Sequence, residues 1–209
     1  MTHHNAQAFD PAFIEKMDEV LSPLRKLHSP SLTGAENLPG SGGVLIAGNH
    51  SIYGLEIPMV PLEIWRQTGG AITHLFLALG TCGTVTGTSR FLRGKKPHIK
   101  VIAVQPTEGH DVPGLRNVSE LRVSKLFDAS LIDEILEIDF ELAYPRALEL
   151  CRVEGLLAAP AAGLICEGAQ RIIKRDKTGL GVMIFPDGVF KYTSNMAKHI
   201  PELAEGTEA

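Results

Sequence analysis

The 209-residue sequence has no long apolar run, no block of like charges and little cysteine. No apolar run approaches the roughly 18 residues of a membrane-spanning helix, and the N-terminus lacks the apolar centre of a secretory signal. The formal net charge of −4 argues against binding to nucleic acid or to a membrane surface, because both need a basic surface. These absences predict a soluble cytoplasmic protein without a membrane span.

The three cysteines, Cys82, Cys151 and Cys166, are an odd number without CxxC or mixed His/Cys spacing. They fit a reducing compartment better than a disulfide framework or a zinc site. His3 and His4 lie in a polar terminus, where side chains are more often frayed than metal-bound. The sequence therefore predicts no metal site.

Apolar runs of strand length alternate with segments of helical periodicity. The runs predict strands at residues 44–47, 73–79, 100–105, 132–138 and 181–185. The periodic segments predict helices at about 11–27, 139–153 and 163–175, and one that follows the loop at 80–87 and ends at about 92. Pro145 is expected to kink the third helix, because proline removes a backbone donor. The alternation predicts an α/β fold with a mostly parallel sheet flanked by helices.

A glycine-rich loop, Gly80-Thr81-Cys82-Gly83-Thr84, follows one predicted strand and precedes a helix. Glycine lets the backbone approach an anion, and the helix dipole and threonine hydroxyls add favourable contacts. The loop is neither a Walker A sequence nor a GxGxxG fingerprint. Spacing alone leaves two interpretations open, a phosphate site and a tight turn that simply needs glycine.

The sequence around this loop resembles the cysteine synthase family. EIWRQTGG at 63–70 leads to ITHLFLALGTCGT at 72–84, and IKVIAVQP, HDVPGLRN, EGLLAAPAAG and IFPDGVFKYTSNM follow in order. The resemblance covers about residues 62–209 and does not separate cysteine synthase from cystathionine β-synthase. It implies part of a type II pyridoxal 5′-phosphate (PLP) fold, whose enzymes replace the acetate of O-acetylserine by sulfide to give cysteine.

The resemblance also implies roles for particular positions. Gly80, Thr81, Cys82, Gly83 and Thr84 would bind the PLP phosphate, and residues 105–114 would lie near the mouth of the active site. Ala161 stands where the family usually has a serine that hydrogen-bonds the pyridine nitrogen, so alanine offers that nitrogen no partner.

Other features depart from the family pattern. Residues 1–61 do not resemble the part that carries the lysine to which the cofactor binds covalently. Cys82 replaces the middle glycine of the loop, either as a substitution without a chemical role or as a reactive thiol. Ala159 replaces a glycine and Gly188 an asparagine. The remaining lysines are expected to be solvated surface groups: Lys95, Lys96, Lys100 and Lys191. These departures predict an enzyme that is impaired or inactive alone.

Residues 48–59, GNHSIYGLEIPM, resemble a different family, the glycerolipid and diacylglycerol acyltransferases. That family's NHxxxxD motif pairs a histidine base with an orienting acid. Here the pair would be His50 and Glu56, one residue further apart than usual. This resemblance implies an acyl-CoA-dependent transferase as the alternative function, although the family's later motifs are missing after Pro61.

The two resemblances together predict a fusion. Residues 1–61 would form the acyltransferase-like segment and residues 62–209 an incomplete PLP-dependent domain. Missing strands would leave sheet edges and apolar surface exposed, so we expect poor stability alone, a homo-oligomer, or a covering partner chain. Three functions stay open: a PLP enzyme acting on a small amino acid, an acyltransferase, and a non-catalytic remnant.

Overall fold

The computed structural model describes residues 45–49, 60–123 and 125–203 of the chain. Its strands are β1 (Leu45–Asn49), β2 (His74–Ala78), β3 (Lys100–Pro106), β4 (Glu134–Ile138) and β5 (Gly181–Phe185). Its α-helices are α1 (Val60–Gln67), α2 (Gly83–Lys95), α3 (Ala143–Glu154), α4 (Pro160–Asp176) and α5 (Thr193–His199). Short 3-10 helices include Phe140–Leu142 and Val189–Lys191.

The five strands form one parallel sheet in the order β1-β5-β2-β3-β4. From β2 the chain runs outward through β3 to β4 and then returns to place β5 between β1 and β2. This arrangement confirms the predicted α/β fold with a parallel sheet. Strand β1 belongs to the same sheet, and the expected junction between Pro61 and Leu62 lies inside α1.

Alternate side chains of a strand point to opposite faces of the sheet, and in β2, β3 and β5 the side chains on both faces are buried. Leu75 and Leu77 of β2 pack with residues of α1 and α2, including Phe91. Phe76 points the other way, into a cluster with Ile165 of α4. Buried strands of this kind appear as continuous apolar runs in the sequence, which is why residues 73–79, 100–105 and 181–185 were predictable.

Helices α3 and α4 approach each other backbone to backbone. A Cβ added at Gly163 would lie 2.0 Å from the carbonyl oxygen of Ala143 and 2.8 Å from the nitrogen of Ala147. Glycine is therefore required at this crossing. The contact fixes the first turns of α4 against the start of α3.

Two details of the helices differ from the sequence-based expectation. Pro145 is the third residue of α3, where the backbone nitrogen has no intrahelical acceptor. It removes no helical hydrogen bond, so the physical basis of the predicted kink is absent. Helix α4 begins earlier than predicted, with Pro160 in its first turn, a position that favours proline.

Several expectations concern other parts of the chain or of its surface. The helix predicted over about 11–27 lies outside the described residues. Among the described helices, none is long and apolar enough to cross a membrane. Within the same residues there is no group of three or more His, Cys, Asp or Glu side chains arranged to hold a metal ion.

Candidate functional site

A cavity of about 300 Å³ opens at the carboxyl ends of β2 and β5, which are neighbours in the sheet. The chain leaves β2 toward one side of the sheet and β5 lies on the other side of β2. Crevices at such reversals are where parallel α/β sheets bind ligands. The polar or glycine residues that line it are Gly80, Thr81, Thr84, Gly114, Asp187, Lys191 and Tyr192.

One wall of the cavity is the glycine-rich loop, residues 80–84, together with the start of α2. Helix α2 begins at Gly83 and has no side-chain cap. The nitrogens of Gly83, Thr84 and Val85 belong to the first turn, where no carbonyl of the helix can accept from them. The helix also provides no side-chain cap for them. The helix dipole adds partial positive charge at this end. Backbone donors, a positive dipole and the Thr81 and Thr84 hydroxyls make this wall suited to a phosphate.

The glycine at position 80 is required by a close approach of two loops. A Cβ there would lie 2.8 Å from the carbonyl oxygen of Gly114, in the loop that follows β3. Gly114 itself has a φ of 77°, in the left-handed region that favours glycine. The Arg116 nitrogen donates to the Leu79 oxygen over 2.8 Å and holds the two loops together. Both loops thus contribute to the wall of the cavity.

Cys82 occupies a backbone conformation that favours glycine, with a φ of 69°. Its side chain is 3% exposed and packs in the core cluster with Val85 and Leu79. The sulfur lies 3.6 Å from the Gly80 oxygen. Reactive cysteines are partly exposed, so the burial of Cys82 favours a substitution without a chemical role over a reactive thiol.

The opposite wall comes from the segment after β5. Asp187 is 8% exposed, and its Oδ2 accepts a hydrogen bond of 2.7 Å from the Tyr192 hydroxyl. Burial first, and then the Asp187 carboxylate, raise the pKa of Tyr192 to about 12. The hydroxyl therefore stays protonated at neutral pH and remains a hydrogen-bond donor. Lys191 adds an exposed cationic side chain to the same wall.

The segment after β5 is fixed to the start of α4. Ala158 and Gly188 form an antiparallel bridge, and the Val189 nitrogen donates to the Leu157 oxygen over 2.9 Å. Asp187 therefore lies next to the turn that precedes α4. Ala161, in the first turn of α4, is 2% exposed and packs in an apolar cluster that includes Tyr144. It is not one of the residues that line the cavity.

The loop after β3, residues 107–117, is anchored by Asp111. Its carboxylate accepts hydrogen bonds from the Tyr144 hydroxyl (2.8 Å) and from the Lys198 ammonium, and pairs with His199 Nε2 (2.8 Å). Lys198 most of all, and then His199, hold the pKa of Asp111 well below its usual range. The Tyr144 and His199 rings stack at 3.8 Å. This Asp111 anchor joins the loop to α3 and α5.

The structure brings together most of the residues that were assigned to the cofactor. Gly80, Thr81, Cys82 and Thr84 line the cavity and Gly83 starts the adjacent helix. Pro113 and Gly114, from the segment expected near the mouth, also line it. The sequence analysis missed the opposite wall, Asp187 and Tyr192, although both lie within the quoted IFPDGVFKYTSNM. His50 and Glu56 lie outside the described residues.

Comparison with known proteins identifies the family. A family profile described as "Pyridoxal-phosphate dependent enzyme" matches residues 45–187. The chain belongs to this family. Because the match begins at residue 45, it includes part of the segment that was assigned to an acyltransferase. The comparisons support neither that resemblance nor the expected fusion.

The curated relatives include cysteine synthases. The chain is 38% identical to cysteine synthase B of Escherichia coli K12 over 132 residues, which are 63% of this chain and 44% of that protein. It is 30% identical to cystathionine β-synthase of Apis mellifera over 143 residues, which are 63% of this chain and 28% of that protein. The chain thus spans less than half the length of these curated relatives.

Solved structures agree on the fold. O-acetyl serine sulfhydrylase isoform 3 from Entamoeba histolytica superposes with a TM-score of 0.60 at 24% identity, covering 69% of this chain and 46% of that one. O-ureido-L-serine synthase gives a TM-score of 0.63 at 25% identity, covering 69% and 49%. The chain therefore has the type II PLP architecture over the matched region.

Proposed function

We propose that this chain provides the phosphate-binding part of a PLP-dependent enzyme of the cysteine synthase type. The reaction would be replacement of the acetate of O-acetylserine by sulfide, giving cysteine. The observation that carries the proposal is the cavity wall of residues 80–84, where uncapped helix nitrogens, two threonine hydroxyls and a close-packed glycine form a phosphate cradle. The family membership and the cysteine synthase relatives support it.

The residues present fit PLP. The nitrogens of Gly83, Thr84 and Val85 and the hydroxyls of Thr81 and Thr84 would hold its phosphate. When bound, PLP supplies an electron sink for bonds at the amino-acid α-carbon. The protonated Tyr192 hydroxyl donates to Asp187 over 2.7 Å and so orients the Asp187 carboxylate in the opposite wall. The Asp111 anchor holds the loop that carries Pro113 and Gly114 in place.

We further propose that catalysis by the chain alone is impaired. The chain spans less than half the length of its cysteine synthase relatives, and Ala161 has no polar atom for the pyridine nitrogen. Exposed apolar side chains near the phosphate loop and the opposite wall, such as Leu126 and Phe190, support completion by a partner or a second copy. Light scattering of the purified chain tests whether a second copy completes it, and a stable monomer contradicts that self-association.

The central test compares PLP with pyridoxal, which has the same ring but no phosphate. We expect saturable PLP binding by the full chain, followed by absorbance and intrinsic fluorescence, and much weaker binding of pyridoxal. Thr84→Ala should weaken PLP binding about tenfold, because a hydrogen bond to a charged group contributes roughly 1.5 kcal/mol or more. Thr178→Ala, an exposed threonine remote from the cavity lining, is the matched control and should bind like wild type.

Equal binding of the two ligands, or no saturable PLP binding, would overturn the proposed phosphate site. A separate assay supplies O-acetylserine, sulfide and PLP and measures cysteine. We expect little or no cysteine from the chain alone. Cysteine formation at rates typical of enzymes, about 1 per second or more, would contradict the proposed impairment while leaving the proposed reaction intact.

A further inference from the structure

The loop after β3 joins two parts of the molecule that are distant in sequence. Its middle is fixed to α3 and α5 through the Asp111 anchor. Three residues further on, Gly114 packs so closely against the glycine-rich loop that a Cβ at Gly80 would lie 2.8 Å from the Gly114 oxygen. The Arg116 nitrogen then donates to the Leu79 oxygen over 2.8 Å. One short segment therefore connects the Asp111 anchor to the first residue of the glycine-rich loop.

Helix α5 is attached to both walls of the cavity. It follows directly after Tyr192, whose hydroxyl donates to Asp187 in the wall opposite the glycine-rich loop. Its last turn carries Lys198 and His199, and both contact the Asp111 carboxylate. The anchor thus ties the loop that supports one wall to the helix that leaves the other wall.

The Asp111 anchor is ionic and partly open to water. The Asp111 side chain is 34% exposed and the Lys198 side chain is 66% exposed, whereas His199 is largely buried. Glu141 Oε2 lies 3.6 Å from His199 Nδ1, so the imidazole ring lies between two carboxylates. A substitution at the exposed Lys198 can therefore weaken the anchor without opening the core.

Other contacts fix the two ends of the same loop. At its start, the Phe140 nitrogen donates to Thr107 Oγ1 over 3.4 Å. At its end, Asn117 Nδ2 donates to Glu137 Oε2 over 3.1 Å. Loss of the Asp111 anchor should therefore free the middle of the loop, which approaches the cavity, and leave its ends in place.

We propose that Asp111 is a positioning residue for the PLP phosphate, acting through Gly114 on the cradle of residues 80–84. This inference rests on the proposed function. Backbone N–H groups bind a phosphate tightly when they are already held in place, because ordering a loop on binding reduces the affinity. Without the anchor, Gly114 is free to move away from Gly80, and the cradle has to be ordered when the phosphate binds.

The coupling is reciprocal, because a contact that favours ligand binding is itself favoured by the ligand. Phosphate binding at residues 80–84 should therefore slow amide hydrogen exchange in residues 107–117, where the Arg116 amide bonds to Leu79. Hydrogen exchange followed by mass spectrometry measures this effect in the full chain, with PLP and inorganic phosphate as the probes. In Asp111→Asn the same segment should exchange faster without ligand, while β3 and α4 exchange as in wild type.

Two variants break the anchor while changing the local charge in opposite directions. Asp111→Asn removes a negative charge, and Lys198→Gln removes a positive charge. We expect Asp111→Asn to weaken PLP binding about fivefold or more, the lower end of couplings between linked sites. Lys198→Gln should weaken it about threefold, because an exposed ion pair contributes less. Lys198→Arg keeps the cation and should bind PLP within about twofold of wild type.

Glu134→Gln is the matched control. It also removes a carboxylate from an ion pair, with Arg175 at 3.0 Å, but this pair lies at the start of β4 and its residues do not line the cavity. Its PLP affinity and its exchange in residues 107–117 should equal those of wild type.

The direction of the two effects separates positioning from simple electrostatics. A purely coulombic effect would strengthen PLP binding in Asp111→Asn and weaken it in Lys198→Gln, and that result overturns the inference. Wild-type affinity in both variants also overturns it and leaves the phosphate site standing. Faster exchange throughout the sheet would trace the lost affinity to general destabilisation and would overturn it too. Absence of saturable PLP binding by wild type overturns the proposed function and this inference together.

Discussion

The Tyr144 hydroxyl donates a hydrogen bond of 2.8 Å to Asp111 Oδ1, and so joins the first turn of α3 to the loop after β3. The Tyr144 ring is fully buried and stacks on His199. Tyr144→Phe keeps the ring and removes the hydroxyl. We expect a loss of about 1.5 kcal/mol in the free energy of unfolding, typical for a hydrogen bond to a charged group, measured by urea denaturation.

A double-mutant cycle isolates this contact. Asp111→Asn weakens the carboxylate's interactions with Lys198 and His199 as well as with Tyr144. The Tyr144→Phe and Asp111→Asn losses should therefore be non-additive by about 1 kcal/mol, as for residues in one hydrogen-bond network. Strictly additive losses would show that the two groups do not interact in solution.

The Asp111 anchor also predicts a pH dependence of stability. The folded-state pKa of Asp111 is lowered, chiefly by Lys198 and then by His199. A lowered folded-state pKa contributes stability above the usual aspartate value of about 3.9, and this contribution is lost as the pH falls toward the folded-state pKa. The stability of wild type should therefore fall below about pH 5 more steeply than that of Asp111→Asn.

Thermal unfolding from pH 7 to pH 3 measures this difference. Asp139→Asn is the matched control, because Asp139 caps its own 3-10 turn through a local bond to the Glu141 nitrogen. Its pH profile should parallel that of wild type. Parallel profiles for wild type and Asp111→Asn would remove Asp111 as a source of acid sensitivity.

Gly163 and Gly87 form a matched pair of helical glycines. A Cβ at Gly163 would meet backbone atoms of α3 at 2.0 Å, whereas a Cβ at Gly87 in α2 meets nothing within 4 Å. Gly163→Ala should destabilise by more than about 3 kcal/mol, because neither helix backbone can yield without repacking. Gly87→Ala should stabilise by about 0.5–1 kcal/mol, the usual gain for alanine in a helix. Chemical denaturation measures both changes, and equal effects would contradict the close helix approach.

Cys82 and Cys166 provide a second pair, both buried and free. Cys82→Gly relieves a left-handed conformation that costs about 1–2 kcal/mol, and this gain offsets the lost thiol burial and the greater freedom of the unfolded chain. The net change should stay within about 1 kcal/mol. Cys166 lies inside α4, where glycine relieves nothing, so Cys166→Gly should cost about 2 kcal/mol. Similar losses at the two positions would contradict the strained backbone at Cys82.

The sequence was sufficient where structure depends on neighbours along the chain. Strands β2, β3 and β5 are buried on both faces, so each appears as an apolar run bounded by polar residues or glycine. The glycine-rich loop of residues 80–84 was predictable as the turn between β2 and α2, because its glycines and threonines are contiguous. The short helices α1 and α5 were missed, because seven or eight residues give little helical periodicity.

The sequence was insufficient where structure depends on distant residues. Asp111 meets Tyr144 and His199 only through the packing of α3 and α5 on the sheet. The sequence does not distinguish Lys191 from Lys95 or Lys100, and only the fold places it among the residues that line the cavity. Pro145 was misjudged because its effect depends on where α3 begins.

The position of β5 has a consequence for how the chain is made. Strands β2, β3 and β4 can pair in order as they leave the ribosome, but β1 has its only partner within the described sheet in β5, which is synthesised last of the five. Until β5 emerges from the ribosome, β1 has no partner strand and the edge of β2 that β5 later covers remains open. Between the synthesis of β2 and that of β5, the nascent chain therefore carries an unpaired strand and an open edge of β2, the state in which chaperones and aggregation compete for it.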